Sequence, residues 1–187
     1  MTSHHIRSRR TLLAAIVLAV STAACGSGGS TVNDAFAVLI KRPDIEQTMA
    51  AYTEMTTKIR DRLTAEVGLA WQQDGELSGS ACGNEFPGLD ADAGTRSLPR
   101  WVSSGNLPDE QWNHAEVLVG EIAATYGFDA KPAVIVDRPS DHDVVFRKPD
   151  GALIMFGTAV NTTLRVETGC HLTVEAYQRG KPKPRRG

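Results

Sequence analysis

Three cysteines are the residues of this 187-residue chain whose positions suggest the most specific chemistry. Cys25 follows a basic segment with three arginines, an apolar run at residues 12–20 (LLAAIVLAV) and four small residues. This order is typical of a secretory signal peptide, and a cysteine directly after the small residues is where a lipoprotein receives diacylglycerol. The sequence therefore predicts a signal peptide over residues 1–24 and lipidation of Cys25, although Thr22 stands where such signals usually have leucine.

The N-terminal segment leaves two other interpretations open: a signal peptide that is cleaved without lipidation, and an uncleaved anchor with an incidental cysteine. The apolar run is too short to cross a bilayer core about 30 Å thick as a helix. Residues 26–30 (GSGGS) form a flexible linker, which favours lipidation and predicts a tether over residues 25–33. Arg9 and Arg10 resemble a twin-arginine export signal, whereas the strongly apolar run favours the general export route. We expect a lipid anchor that holds the chain on the outer face of the cell membrane.

Cys82 and Cys170 are the two remaining cysteines. Outside the cell the compartment is oxidising, so the simplest prediction is a disulfide between them. Such a bridge would close a loop of nearly ninety residues, and the chain-entropy model gives it a stabilising effect of roughly 4–5 kcal/mol. The alternative is a catalytic or metal-binding thiol, which would have to stay reduced outside the cell.

The charge of the chain is uneven. Three of its 20 basic residues lie in the predicted signal peptide, which leaves 17 against 22 acidic residues and a formal charge of −5. Five of those 17 lie in residues 179–187, without an acid, so the mature chain before them carries −10. An acidic body argues against nucleic-acid binding, which needs clustered positive charge. The basic tail is predicted to be disordered; it has the charge to touch anionic lipid, but a solvated tail is the simpler expectation.

Asp137, Asp141, His142 and Asp143 form the densest group of metal-ligating residue types. Carboxylates and an imidazole in one turn have the chemistry to bind a divalent cation. The simpler interpretation is a polar hairpin loop in which aspartates cap backbone N–H groups. We favour it because the sequence has neither EF-hand spacing nor an HExxH motif.

No other motif indicates catalysis. The sequence has no GxSxG elbow, phosphate-binding loop or dinucleotide fingerprint. His114 is explained as a surface residue of an acidic helix, and His171, beside a disulfide cysteine, lacks the free thiolate that a Cys–His pair needs. Trp101 lies in a turn-rich segment, where it would either anchor a partner or cover the core. We assign no catalytic residue, no cofactor and no metal site.

Two amphipathic helices are predicted to position these residues. The first begins near residues 42–46 (RPDIE), with proline at its first position. Its apolar residues recur every three or four positions: Ile45, Met49, Tyr52, Met55, Ile59 and Leu63. The second begins at residues 108–110 (PDE) and ends at Gly127; its inward residues are Trp112, Ala115, Val119, Ile122 and Tyr126. An apolar patch at residues 34–40 is expected to dock on the domain.

Strand signals dominate the C-terminal third. They cover residues 133–137, 143–147, 152–158, 161–167 and 171–176, with a KPDG turn at residues 148–151. Residues 69–73 are a weaker strand, and residues 74–106 are predicted to form a long loop that a disulfide pins. This order predicts the α+β class, with two main helices packed on one antiparallel sheet in a single domain over residues 34–178.

Several segments resemble the LppA family of mycobacterial lipoproteins. They are the lipidation signal and the segments 42–46 (RPDIE), 69–71 (LAW), 80–82 (SAC) and 167–170 (ETGC). The resemblance covers nearly the whole mature chain, and none of its motifs is catalytic. It implies a lipoprotein of the actinobacterial cell envelope, and it implies no activity because the family is described as being of unknown function.

Three classes of function remain. We expect a non-catalytic module that binds an envelope protein or wall component through its loops. The first alternative is a carrier of a lipid or another apolar ligand, which would bind in a cavity between the helices and the sheet. Met49, Met55 and Met155 would suit an adaptable lining of such a cavity. The second is a hydrolase whose site is assembled from distant residues, which predicts carboxylates or a histidine with perturbed pKa in a cleft.

Overall fold

The computed structural model describes Met1 and residues 31–184. Within this range the chain forms four helices: α1 (Val32–Leu39), α2 (Ile45–Val67), α3 (Asp109–Thr125) and α4 (Val174–Arg179). It also forms nine strands: β1 (Trp71–Asp74), β2 (Ser78–Ala81), β3 (Ala93–Ser97), β4 (Arg100–Ser104), β5 (Ala133–Arg138), β6 (Asp141–Arg147), β7 (Leu153–Thr158), β8 (Asn161–Glu167) and β9 (His171–Leu172).

The nine strands join one sheet. Its main path runs β1-β4-β8-β7-β6-β5, and β3 pairs with β2, β8 and β9 off this path. Neighbouring strands are antiparallel. The turn between β6 and β7 is the predicted one: the N–H of Gly151 donates to the carbonyl of Lys148, and Gly151 has a φ of 93°. The predicted α+β class, with two main helices on one antiparallel sheet, is confirmed.

The main core fills the space between α2, α3 and one face of the sheet. Alternate residues of three central strands point into it, and each is at most 1 % exposed: Val144, Phe146, Ile154, Phe156, Leu164 and Val166. Helix α2 contributes the predicted stripe, of which Tyr52, Met55, Ile59 and Leu63 are buried in this core. The residues between these strand positions point away from the helices, because side chains alternate along a strand.

A second, smaller cluster, called here the small core, joins the two ends of the described chain. It contains Ala35, Phe36 and Leu39 of α1, the two cysteines, and Leu89, Ala93, Leu172 and Ala176. The apolar patch at residues 34–40 therefore docks as expected, and α1 begins at Val32, inside the predicted tether. In residues 31–184, no helix combines the length and the apolar character needed to cross a bilayer.

Three predicted segments differ in the structure. Residues 74–106, expected as one loop, contain β2, β3 and β4, so the loop that the disulfide pins is only residues 82–92. Residues 174–176 are helical rather than extended, because the hydroxyl of the preceding Thr173 accepts the Ala176 N–H and caps α4. The cap of α2 is Asp44, which accepts the N–H groups of Glu46 and Gln47, so Pro43 lies outside the helix.

Candidate functional site

Cys82 and Cys170 form the predicted disulfide, with their Cα atoms 6.0 Å apart. Both are buried in the small core, at 3 % and 2 % exposure. Neither is a free thiol in this structure, so the alternative of a catalytic or metal-binding cysteine finds no support here. Cys25, the predicted lipidation site, lies outside the described residues, as does the predicted signal peptide after Met1.

The residue after the disulfide, His171, is buried against the start of α2. Its Nδ1 lies 2.9 Å from the carbonyl oxygen of Pro43, which can only accept, so Nδ1 donates and carries the proton. The Nε2 atom has no hydrogen-bond partner in the described part of the chain. Burial lowers the pKa of His171, because an apolar environment disfavours the charged ring. With 1 % exposure this histidine is out of reach of a substrate.

Arg42 links the start of α2 to the segment that contains Cys170, and this contact region is called the junction. One of its guanidinium nitrogens donates to the carbonyl oxygen of Cys170 at 2.8 Å and to that of Asp150 at 3.1 Å. The guanidinium also lies over the ring of Phe86, 5.6 Å from its centroid. The segments that resemble the LppA family, RPDIE and ETGC, therefore meet here, and what they build is a structural junction around the disulfide.

Lys148 lies beside this junction, with Tyr52 and Asp150. Its ammonium group is 3.1 Å from the Tyr52 hydroxyl and 3.2 Å from an Asp150 carboxylate oxygen. Burial lowers the pKa of Lys148, but the hydrogen bond to Tyr52 and the charge of Asp150 outweigh it, so the pKa lies above its ordinary value. Burial has the opposite effect on Tyr52 and raises the pKa of its hydroxyl, because the charged form of tyrosine is the deprotonated one. A lysine held charged in this way has no free lone pair for nucleophilic or base catalysis.

His142 is a second buried histidine, and unlike His171 it has carboxylate oxygens beside both ring nitrogens. Its Nδ1 is 2.9 Å from an oxygen of Asp137, and its Nε2 is 3.2 Å from an oxygen of Asp109. The ring stacks on Trp112, with centroids 4.9 Å apart and planes 12° from parallel. Asp109 also accepts the backbone N–H of Ser140, and this bond, followed by that to His142, lowers the pKa of Asp109. The first turn of α3 thus clamps the hairpin between β5 and β6.

The sheet separates the residues of metal-ligating type at 137–143, for which the sequence favours a polar hairpin loop. His142 points toward the helices, whereas Asp141 and Asp143, one position away on β6, point to the opposite face; Asp141 binds Arg138 there at 2.5 Å. In the described part of the chain, no three His, Cys, Asp or Glu side chains come together as ligands for a metal ion. Asp109 caps the N–H of Ser140, so the hairpin is capped as expected, but by an aspartate from α3.

The face of the sheet turned away from the helices carries an open groove of about 660 Å³. Its apolar floor is formed by Ile135, Val145 and Met155 on three neighbouring strands. Gly157 continues the floor without a side chain, because a Cβ there would lie 3.0 Å from the carbonyl oxygen of His142 and 3.1 Å from the Asp143 carboxylate. Helices α2 and α3 pack on the other face of the sheet and leave this groove uncovered.

Arginines lie on one side of the groove and aspartates on the other, and three of the four are paired: Arg100 with Asp74, Arg165 with Glu167, and Asp141 with Arg138. Arg100 and Arg165 lie on the side of β4 and β8, and Asp141 and Asp143 on β6. Burial, and then the nearby charge of Asp141, raises the pKa of Asp143. The arrangement offers cations, carboxylates and an apolar floor in one open surface, which suits reversible binding.

The remaining predicted positions have structural roles. Trp101 lies on β4 rather than in a loop and is covered by the Arg60 guanidinium, 3.5 Å from its ring centroid. It packs on the main core, so the interpretation as a core cover is the one that the structure supports. His114 is half-exposed on α3, 3.0 Å from a Glu66 oxygen. Sequence reasoning did not single out Arg42 or Asp109, since their partners lie 31 to 128 residues away.

Comparisons with known proteins agree with this architecture. The LppA family, described as a lipoprotein confined to pathogenic Mycobacterium, matches residues 25–174. No curated protein matches the sequence. The crystal structure of LppA from Mycobacterium tuberculosis is similar, with a TM-score of 0.65 and 16% identity over 80% of this chain and 91% of that chain. A DUF4853 family protein from Actinomyces odontolyticus has a TM-score of 0.54 and 17% identity, with 72% of each chain covered.

At these identities the structural likeness shows the fold alone, whereas the family match extends from the predicted lipidation site to the first residue of α4. It contains both disulfide cysteines and the segments that build the junction around them. The chain belongs to the LppA family of lipoproteins.

Proposed function

We propose that this protein is a non-catalytic binding module, held on the outer face of the cell membrane by lipid on Cys25, that uses the open sheet groove as its binding surface. The observation that carries the proposal is the groove itself: an uncovered face with an apolar floor between arginines and aspartates. A sheet face that is not packed against another layer is available to a protein or wall component of the envelope, and the volume of the groove, about 660 Å³, is in the range of ligand sites.

The geometry of the histidines supports the non-catalytic part of this proposal. A general base needs a nitrogen free to take a proton from a nucleophile or water. Both nitrogens of His142 are within hydrogen-bond distance of carboxylates, and His171 is buried. The hydrolase alternative therefore has no supporting arrangement among the described residues.

The carrier alternative has less support than the binding module. It requires a cavity between the helices and the sheet, but that space holds the closely packed main core. The three methionines proposed as a lining are separated: Met55 is fully buried in the main core, Met49 is partly buried, and Met155 lies on the opposite face of the sheet. An apolar ligand would have to use the open groove instead.

Native mass spectrometry of residues 26–187, exported without the lipid in a related host and recovered without detergent, tests the binding module. We expect a bound species that is lost in Met155→Lys, which puts a charge on the groove floor. Val117→Lys is the matched control, because Val117 is an exposed apolar residue of α3. A bound species that is retained in Met155→Lys, or lost equally in both variants, would exclude the groove as the binding surface.

The anchor is tested separately by the intact mass of the mature protein from membranes. Lipidation predicts a chain that begins at Cys25 and carries the added mass of a diacylglycerol group. An unmodified Cys25, or a chain that begins at another residue, would refute the anchor and leave the groove proposal standing.

A further inference from the structure

One carboxylate of the open sheet groove has no partner. Three of the four charged side chains of the groove form ion pairs with residues outside it. The fourth, Asp143, has no salt bridge within residues 31–184. Burial and the neighbouring charge of Asp141 both raise the pKa of Asp143, and no cation among the described residues offsets them. The charge that the groove lacks is therefore a positive one.

The carboxylate of Asp143 lies directly beside the apolar floor. Asp143 pairs with Gly157 across β6 and β7, and the next pair on the same face is Val145 with Met155. A carboxylate oxygen lies 3.1 Å from the position that a Cβ of Gly157 would occupy, so the carboxylate lies over this glycine. Positions two residues apart on a strand are separated by about 7 Å. A ligand that covers Val145 and Met155 can thus reach Asp143 with a group at its end.

The combination of an apolar floor and an unpaired carboxylate suits a basic side chain. Lysine and arginine bury an aliphatic stem along apolar surface while the charged head keeps a polar contact. The charge of the whole domain acts in the same direction, since the mature chain before residue 179 carries −10 and a negative field speeds the approach of cationic partners. Arg147, on the same side of β6, is about 13 Å along the strand from Asp143 and does not line the groove. At that distance salt screens its charge.

We propose that the groove binds a basic segment of a partner protein, with the stem of one lysine or arginine on Val145 and Met155 and its charged head against the Asp143 carboxylate. The proposal rests on the groove as the binding surface of the proposed function and names the chemistry of the partner. An acidic partner is disfavoured, because it would meet Asp143 without a counterion and would have to displace Asp74 and Glu167 from their arginines.

Peptide titration followed by NMR tests the charge of the partner. The protein is isotopically labelled residues 26–187, which contain every described residue after Met1. The probes are the blocked pentapeptide Ac-AVKVA-NH2 and the same peptide with norleucine in place of lysine, which keeps the stem and loses the charge. We expect the lysine peptide to shift the amide signals of Val145 and Met155. It should bind about fivefold more tightly than the norleucine peptide, which is the upper end for an ion pair at a surface. This comparison uses the unchanged protein, so it does not depend on the folding of a variant.

Asp143→Asn should remove the preference for the lysine peptide, and Asp61→Asn is the matched control. Asp61 is an exposed residue of α2, which packs on the other face of the sheet, so its substitution changes the net charge equally and leaves the groove intact. Four outcomes would each overturn the proposal: no binding of either peptide, equal binding of both, a preference that survives in Asp143→Asn, or an equal loss in the two variants. The groove itself would still stand as the binding surface if the species bound in native mass spectrometry is lost in Met155→Lys, so the two failures are distinguishable.

Discussion

Removing the Cys82–Cys170 bridge should lower the stability of this domain by a large and calculable amount. The two cysteines are 88 residues apart, and the loop-entropy relation gives about 4.6 kcal/mol at 25 °C for a bridge that closes such a loop. A domain of this size has a total free energy of unfolding of about 5–15 kcal/mol. The bridge-free chain is therefore expected to be marginally folded, with most of the loss arising from the larger entropy of its unfolded state.

Urea unfolding monitored by circular dichroism measures this loss. The double variant Cys82→Ala and Cys170→Ala should lose about 4–5 kcal/mol, and its dependence on urea should steepen because an unbridged unfolded chain exposes more surface. The single variant Cys82→Ala is the control: it also removes the bridge, so it should resemble the double variant. A loss below about 1 kcal/mol in the double variant would show that the loop-entropy argument does not apply to this protein.

Substitutions at three further residues test the junction and the hairpin clamp. The pKa of His171 is lowered from 6.5 in the folded state, so its contribution to stability is fully present above pH 6.5 and is lost as the pH drops below that value. His171→Asn should therefore flatten the pH dependence of stability in this range. An unchanged slope would show that His171 is not the group responsible. Asp109→Ala removes the acceptor of the Ser140 N–H and a neighbour of His142, so it should lower the urea midpoint, whereas Asp109→Asn, which keeps an acceptor, should lower it less. Gly169→Ala places a Cβ 2.0 Å from the carbonyl oxygen of Asp150 and should lower the melting temperature by the equivalent of about 1–3 kcal/mol; a neutral effect would mean that the junction is looser than described.

The sequence predicted the parts of the fold that local physics decides. The apolar stripe of α2, the KPDG turn and the long strands β6 to β8 all have a clear period or a turn with fixed dihedral preferences. The pairing of Cys82 with Cys170 followed from elimination and the oxidising compartment. These features depend on neighbouring residues or on counting, so one sequence is enough to find them.

The missed elements depend on long-range contacts. All four residues of β2 (Ser78–Ala81) are exposed, so no apolar alternation marks this strand, and its partner β3 lies beyond a loop. Two-residue β9 exists only because it pairs with β3. The candidate site was equally hidden: the groove depends on which strands become neighbours, and the clamp joins Asp109 to Ser140, 31 residues later.

The position of α1 also determines how the domain responds to mechanical load. A force applied through a lipid at Cys25 reaches α1 first, and only then Arg42, whose hydrogen bonds to the carbonyl groups of Cys170 and Asp150 tie the chain to the disulfide. We expect α1 to peel away before the sheet yields, since eight helical residues lengthen by about 15 Å when they are extended. Force spectroscopy should show an early step of about that length, and its absence would mean that α1 and the sheet give way together. In a chain anchored in this way, α1 would extend under load before the disulfide-linked domain unfolds.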